Sequence, residues 1–329
     1  MALVESDSGD DNEFTMLVRR PTAATRADLA GNWRVLDFGM ADDLTENYYN
    51  VVNMGGGQST TLSDSPGTDE IITDVFFRGG FETLTVPVSL AAGGAFSGAF
   101  SGTFSTTANG TVSLAVAGEG TEVFTVNASG NVMVRTLPDP SFDEQRFTAL
   151  VKLPDSLSLS ELAGAWRFVR LWVPNRLVEV KADGRLTDVS FPTPYEVERG
   201  VVGIGTDGSL AAAFSGSIAV SSPGVVTVTA DGAHTFYVND TKDVMLHVSE
   251  DSDGQEIIAL LRVPLEPTKL ALDSEDGKLN LLWAGRSDVK LQKSSTLTSW
   301  SDAGSTGQSA FESSSTTAEF YRLIQLDPE

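Results

Sequence analysis

Apolar and polar positions alternate in short runs along this chain, and no long 3.6-residue period develops. The run TVSLAVA (Thr111 to Ala117) is typical: alternate side chains face one way, as on a half-buried strand. Such runs are closed by Gly, Pro or Asn-Gly, and Asn109-Gly110 reads as a hairpin turn. In the first half of the chain, strands are predicted at Asn47–Asn53, Ile71–Phe77, Glu82–Ser89, Ala95–Phe104, Thr111–Ala117, Glu122–Val126, Val132–Arg135 and Phe147–Leu153. The stretch GGGQSTTLSDSPGTDE from Gly55 is expected to be a surface loop.

The pattern then repeats. FTMLVRRPTAATRADLAGNWRV (Phe14 to Val35) returns as FTALVKLPDSLSLSELAGAWRF (Phe147 to Phe168) at one constant offset of 133, and IIALLRVP closes the series at Ile257 to Pro264. Thr25 with Asp28, and Ser158 with Glu161, have capping-box spacing, so a short helical turn is expected before each Trp. Further along, ITDVFF answers LTDVSF, FSGTF answers FSGSI, and FTVNASGNVMV answers FYVNDTKDVML. The first copy is about 19 residues longer between its Trp and the ITDV strand. The expected division is 1–27 (end strand of a preceding repeat, and linker), 28–154 (first unit), 155–266 (second unit) and 267–329 (a C-terminal module).

About eight strands per unit, joined mostly by short turns, predict antiparallel meanders that close into barrels or split into sandwiches. The fold class is therefore all-β: two tandem units followed by a small β-sandwich. The elements Gly31-Asn32-Trp33 and Gly164-Ala165-Trp166, each after a helical turn, resemble the entry of lipocalin-type (calycin-like) barrels. That resemblance implies a barrel with an interior for a ligand. In the last module, LNLLW, VKLQKSS, Leu297, Trp300 and AEFYRLIQ resemble a fibronectin-III-like accessory tail of large secreted proteins of environmental bacteria. The tight, Pro-containing linkers predict limited but real flexibility between units.

Composition narrows the function. A net charge of −23 repels phosphate backbones, so nucleic acid is not an expected partner. No apolar run is long enough to span a membrane, so no insertion is expected. With no cysteine, disulfide scaffolds, thiolate metal sites and cysteine nucleophiles drop out. Residues 1–20 lack a signal-peptide pattern, and the frame reads as starting mid-repeat.

Candidate chemistry is sparse. The only two histidines, His234 and His247, lie on the two arms of one hairpin, where a two- or four-residue loop would set them directly opposite. Their counterparts in the first unit are Glu122 and Arg135. Two imidazoles need further ligands to hold zinc, and none is indicated by spacing. Acidic turns precede the closing strands at Asp7–Asp11, Asp139–Glu144 and Asp251–Gly254, and another acidic loop runs from Asp64 to Glu70. Carboxylates at alternate positions beside a Gly suit calcium, and Asp251 and Asp253 are the residues assigned to it. Trp172 in LWVPN is either a stacking platform or a buried strand-end aromatic. No Ser/His/Asp order or phosphate-cradling loop is present, so no enzyme is expected and no catalytic residue is assigned.

The leading expectation is a non-enzymatic extracellular or cell-surface β-repeat segment, structural or adhesive, within a larger secreted protein. Its partner would be a protein or carbohydrate surface. The alternatives are a calycin-like barrel for a small ligand or carbohydrate, and a non-catalytic targeting region of a secreted hydrolase. Filled interiors favour the scaffold; an open apolar cavity favours the ligand.

Overall fold

The computed structural model describes the chain apart from residues 1, 8–11, 42–47, 54–59, 64–69, 77–81, 136–143, 175–177, 183–184, 191–195, 231, 252–253, 264–269, 276–277, 284–288, 304–309, 314–318 and 326–329. Each repeat closes into an eight-stranded antiparallel barrel. In the first, Gly31–Ala41 pairs with Glu82–Leu90 on one side and with the last strand, Glu144–Lys152, on the other. In the second, Gly164–Pro174 stands between Glu196–Ile204 and Gly254–Arg262 in the same way. Sequence neighbours supply the remaining pairs, so both barrels are up-and-down meanders whose first and last strands meet.

The repeated motif seals one end of each barrel. A four-residue helix, Arg26–Leu29 or Leu159–Leu162, precedes the first strand. The Thr25 N–H donates to Asp28 Oδ2 at 2.9 Å, and the Ser158 N–H to Glu161 Oε2 at 2.8 Å, which is the reciprocal cap the spacing predicts. Gly31 and Gly164 then take φ of +143° and +140°, a conformation that L side chains rarely adopt. This turns the chain so that Trp33 and Trp166 enter the barrel floor, where each indole N–H donates to a helix carbonyl, Leu29 O (2.8 Å) or Leu162 O (2.9 Å). Gly, Trp and the helix therefore act as one plug.

One predicted strand is a hairpin. Ala95–Phe104 divides into Ala95–Gly98 and Gly102–Thr106, which pair with each other through Ala95↔Thr103 and Phe96↔Gly102. Both Phe-Ser-Gly motifs have a steric cause. A Cβ on Gly102 would stand 2.0 Å from Ala115 O, and one on Gly216 would stand 1.9 Å from Thr229 O. The period of two persists through the turn, which is why the run reads as a single strand. The Gly55 loop also differs from expectation: it contains the strand Thr60–Ser63, which pairs with Tyr48–Asn53, and that strand pairs in turn with Glu70–Phe76. Among the described residues the second repeat has the hairpin Val178–Ala182/Arg185–Ser190 in this place, and its Arg185–Ser190 strand touches Glu70–Phe76.

The barrels share an apolar seam. Leu36, Phe38 and Val151 on the outside of the first barrel join Leu171, Leu246 and Ile257 on the outside of the second in one buried cluster, which Met16 also enters. At its edge, Asn131 Nδ2 donates to Asp240 Oδ1 (2.8 Å) and Thr241 Oγ1 (2.7 Å), linking equivalent turns of the two copies. The expectation of limited flexibility rested on the linkers alone, and the seam adds direct contact between the barrels. Linker composition reports on the connection, whereas the seam is made by outward strand faces that only tertiary packing brings together. Past the barrels, two three-stranded sheets enclose a core of Leu281, Trp283, Val289 and Leu291. Leu282 of this tail packs with Ala165 and Val201 of the second barrel. No helix among the described residues is long and apolar enough to cross a membrane.

Candidate functional site: two barrel interiors, one hollow and one filled

The end of each barrel opposite its Trp plug carries the polar groups. The interiors behind them differ. The first holds a half-open cavity of about 270 Å³ walled by side chains such as Val35, Val88, Phe96, Leu114 and Phe124. The matching space in the second is about 40 Å³. A single cross-strand pair accounts for much of this difference. In the second barrel Phe168 pairs with Gly200, and its ring lies 4.5 Å (centroid to centroid) from Phe214, filling the centre. A Cβ on Gly200 would stand 2.9 Å from the Phe168 ring, so the glycine makes the room. At the equivalent positions the first barrel has Val35 paired with Val86, and the centre stays open.

Polar groups border the cavity of the first barrel. Thr148 Oγ1 donates to Asp37 Oδ1 at 2.6 Å. Arg135 forms a 2.7 Å ion pair with Glu122. The Arg135 Nε is buried and has no hydrogen-bond partner among the described residues, an arrangement that costs about 1–3 kcal/mol unless an acceptor is supplied. Asp37 and Thr148 are both mostly buried, so the cavity is apolar with a few convergent polar groups at one end.

The corresponding level of the second barrel is a charged cluster. His234 Nδ1 lies 2.9 Å and His247 Nε2 3.1 Å from the same oxygen, Glu256 Oε1. Arg170 Nε holds the other oxygen, Oε2, at 2.8 Å. A two- or four-residue loop would set the histidines face to face and a bulged turn would separate them; the pairs Tyr237↔Leu246 and Val238↔Met245 put them two residues out of step. The cause is the five-residue turn Asn239–Asp243, where Asn239 Oδ1 accepts the N–H groups of Asp243 and Val244. A two-residue slip keeps both rings on the inward face, and they meet edge to face with centroids 5.2 Å apart. Burial alone would raise the Glu256 pKa, but the hydrogen bonds from both histidines and the Arg170 charge outweigh it, holding the carboxyl well below the usual range.

Glu256 is the residue that sequence reasoning missed. It sits on the closing strand, inward by the same alternation that buries Ile258 and Leu260. That parity is the signal that identifies it. Outside the cluster, a polar mouth of about 260 Å³ is bordered by Trp172, Ser249 and Asp251. Trp172 is half-buried, and a Cβ on Gly254 would stand 2.6 Å from its ring, so the indole packs directly against that glycine. Asp251 Oδ1 accepts the Gly254 N–H at 2.9 Å within the last hairpin turn. Asp253 lies outside the described residues, as do most of the other acidic turns assigned from sequence. No family matches this chain, and neither curated proteins nor solved structures return a significant match to it.

Proposed function

We propose that this protein is a non-enzymatic binding protein whose first barrel takes up a small, neutral, mostly apolar molecule, while the second barrel and the tail are its scaffold. The observation that carries this reading is the 270 Å³ cavity in a barrel whose twin, built to the same plan, is filled. A dry protein cavity of ~150 Å³ accommodates benzene, so this one suits a ligand of roughly ten heavy atoms. The buried Arg135 Nε favours a ligand with a hydrogen-bond acceptor. Glu122 already neutralises that guanidinium and Asp37 lies nearby, which favours a carbonyl or ether over a carboxylate. The polar groups pair with each other, Asp37 with Thr148 and Glu122 with Arg135, which supports binding over turnover. An extracellular or cell-surface setting, as part of a larger secreted protein, completes the proposal.

At about 0.6 kcal/mol per heavy atom, a ten-atom ligand gains about 6 kcal/mol, a dissociation constant in the tens of micromolar. Titration of the full chain with 1-indanone, followed by NMR, is expected to show saturable binding on this scale, and phenylacetate is expected to bind at least about tenfold more weakly. The double substitution Val35→Phe/Val86→Gly transplants the filled pair and is expected to abolish binding in a folded protein. Equal binding by this variant, or no saturation in the parent chain, overturns the proposal.

A further inference from the structure

The structure assigns a second, chemically different site: we propose that His234, His247 and Glu256, at the mouth of the second barrel, bind one divalent transition-metal ion of the zinc class. The argument begins with the imidazole of His247. Its Nδ1 lies 2.8 Å from the carbonyl oxygen of Thr235, which can only accept, so Nδ1 carries a proton and donates it. In the neutral ring Nε2 then presents a lone pair. Nε2 lies 3.1 Å from Glu256 Oε1 and 3.0 Å from the Ser249 hydroxyl, so it is a hydrogen-bond donor to the carboxylate when protonated and a ligand position when not. His234 Nδ1 approaches the same oxygen to 2.9 Å. Three atoms able to ligate a metal thus converge, all within 4.8 Å of one another, and a cation held among them takes the place of the protons that otherwise join the imidazoles to the carboxylate.

Geometry and ligand chemistry select the ion. Four-coordinate zinc, with bonds of about 2.0–2.2 Å to nitrogen and oxygen, separates its ligands by about 3.3 Å, so the two nitrogen–oxygen pairs, at 2.9 and 3.1 Å, need to open by only a few tenths of an ångström, and the two nitrogens lie within 4.8 Å of each other. Two imidazoles and one carboxylate suit zinc and its neighbours, whereas calcium requires a shell of oxygens. The supports that a metal site needs are also in place. The Thr235 carbonyl orients His247 and fixes its tautomer, and Arg170 holds Glu256 by the oxygen that points away from the histidines. The 260 Å³ mouth leaves the fourth position to water or an external ligand. The first barrel is an internal control: its equivalent positions are Glu122 and Arg135, a salt bridge that cannot chelate a cation. The expected stoichiometry is therefore one ion per chain.

The test uses the full chain stripped with a chelator and titrated with cobalt(II). The expected result is one equivalent bound, with the intense visible absorption of a four-coordinate site, displaced by an equivalent of zinc and weakening as pH falls. His234→Ala is expected to weaken cobalt binding by more than the ~10–100-fold typical of losing an outer partner. Asp251→Asn and Val35→Phe/Val86→Gly are expected to leave it unchanged, which separates this site from the calcium assignment and from the cavity of the first barrel. Because the chain has only two histidines, their ring nitrogen resonances report on the unmutated protein even if a variant fails to fold; zinc is expected to move both. No cobalt band at one equivalent, a band that survives His234→Ala, or zinc that leaves either ring unmoved overturns the proposal. Absence of cobalt binding means that a proton on His247 holds the cluster instead.

Discussion

Truncating a seam residue should destabilise both barrels, although the side chain belongs to only one. Leu246 is on the outside of the second barrel and is 1 % exposed, in the same cluster as Leu36 of the first. Leu→Ala at a fully buried site that cannot collapse costs about 3 kcal/mol or more. If the second barrel unfolds by itself, the cooperative unit is about 100 residues, and 3 kcal/mol lowers Tm by about 12–24 °C. If both barrels unfold together, the unit is more than twice as large and the same loss lowers Tm by only about 6–12 °C. The seam predicts the smaller shift. The assay is thermal unfolding of protein labelled with fluorotryptophan, in which Trp33 and Trp166 report the two barrels by separate resonances. Both signals should lose intensity at one midpoint, and Leu246→Ala should move them together. In a double-mutant cycle, Leu36→Ala and Leu246→Ala should couple by about 0.5–3 kcal/mol. A Trp33 midpoint that stays fixed while the Trp166 midpoint falls would refute the reasoning and restore two independent domains.

Two further expectations concern charge and backbone. Because the folded state lowers the Glu256 pKa, its ionisation stabilises the protein fully above the unfolded value of about 4.3, and this contribution fades as pH falls through the lower folded value. Glu256→Gln should therefore flatten the acid side of the stability–pH curve measured by urea unfolding without metal; an unchanged acid slope contradicts the charge assignment. At the barrel corner, Gly216→Ala should cost at least about 2 kcal/mol, because φ is +152° and the new Cβ meets the Thr229 carbonyl. At Gly118, where φ is +89° and nothing lies within 4 Å, alanine should cost only about 1 kcal/mol. Equal losses in chemical denaturation would show that the corner is not a tight contact.

The sequence by itself determined everything carried by local covalent geometry and repeated in both copies. The capping pairs Thr25/Asp28 and Ser158/Glu161, the positive-φ glycines before Trp33 and Trp166, and the strand alternation all act over a few residues, so each is visible as a pattern. Tertiary structure decided whatever depends on which strands close the ring and how full it is. The Ala95–Phe104 run keeps its period of two through a turn, and alternation does not record a reversal of direction. His234, His247, Glu256 and Arg170 come from four strands, and the first and last meet only because the sheet closes. Val35 and Phe168 are both ordinary inward apolar residues in a sequence, yet with Val86 and Gly200 opposite them one barrel is hollow and the other is full. Hydrophobic burial fixes which side chains point inward, but the volume left among them is a small difference between large packed totals, set only when all eight strands are in place.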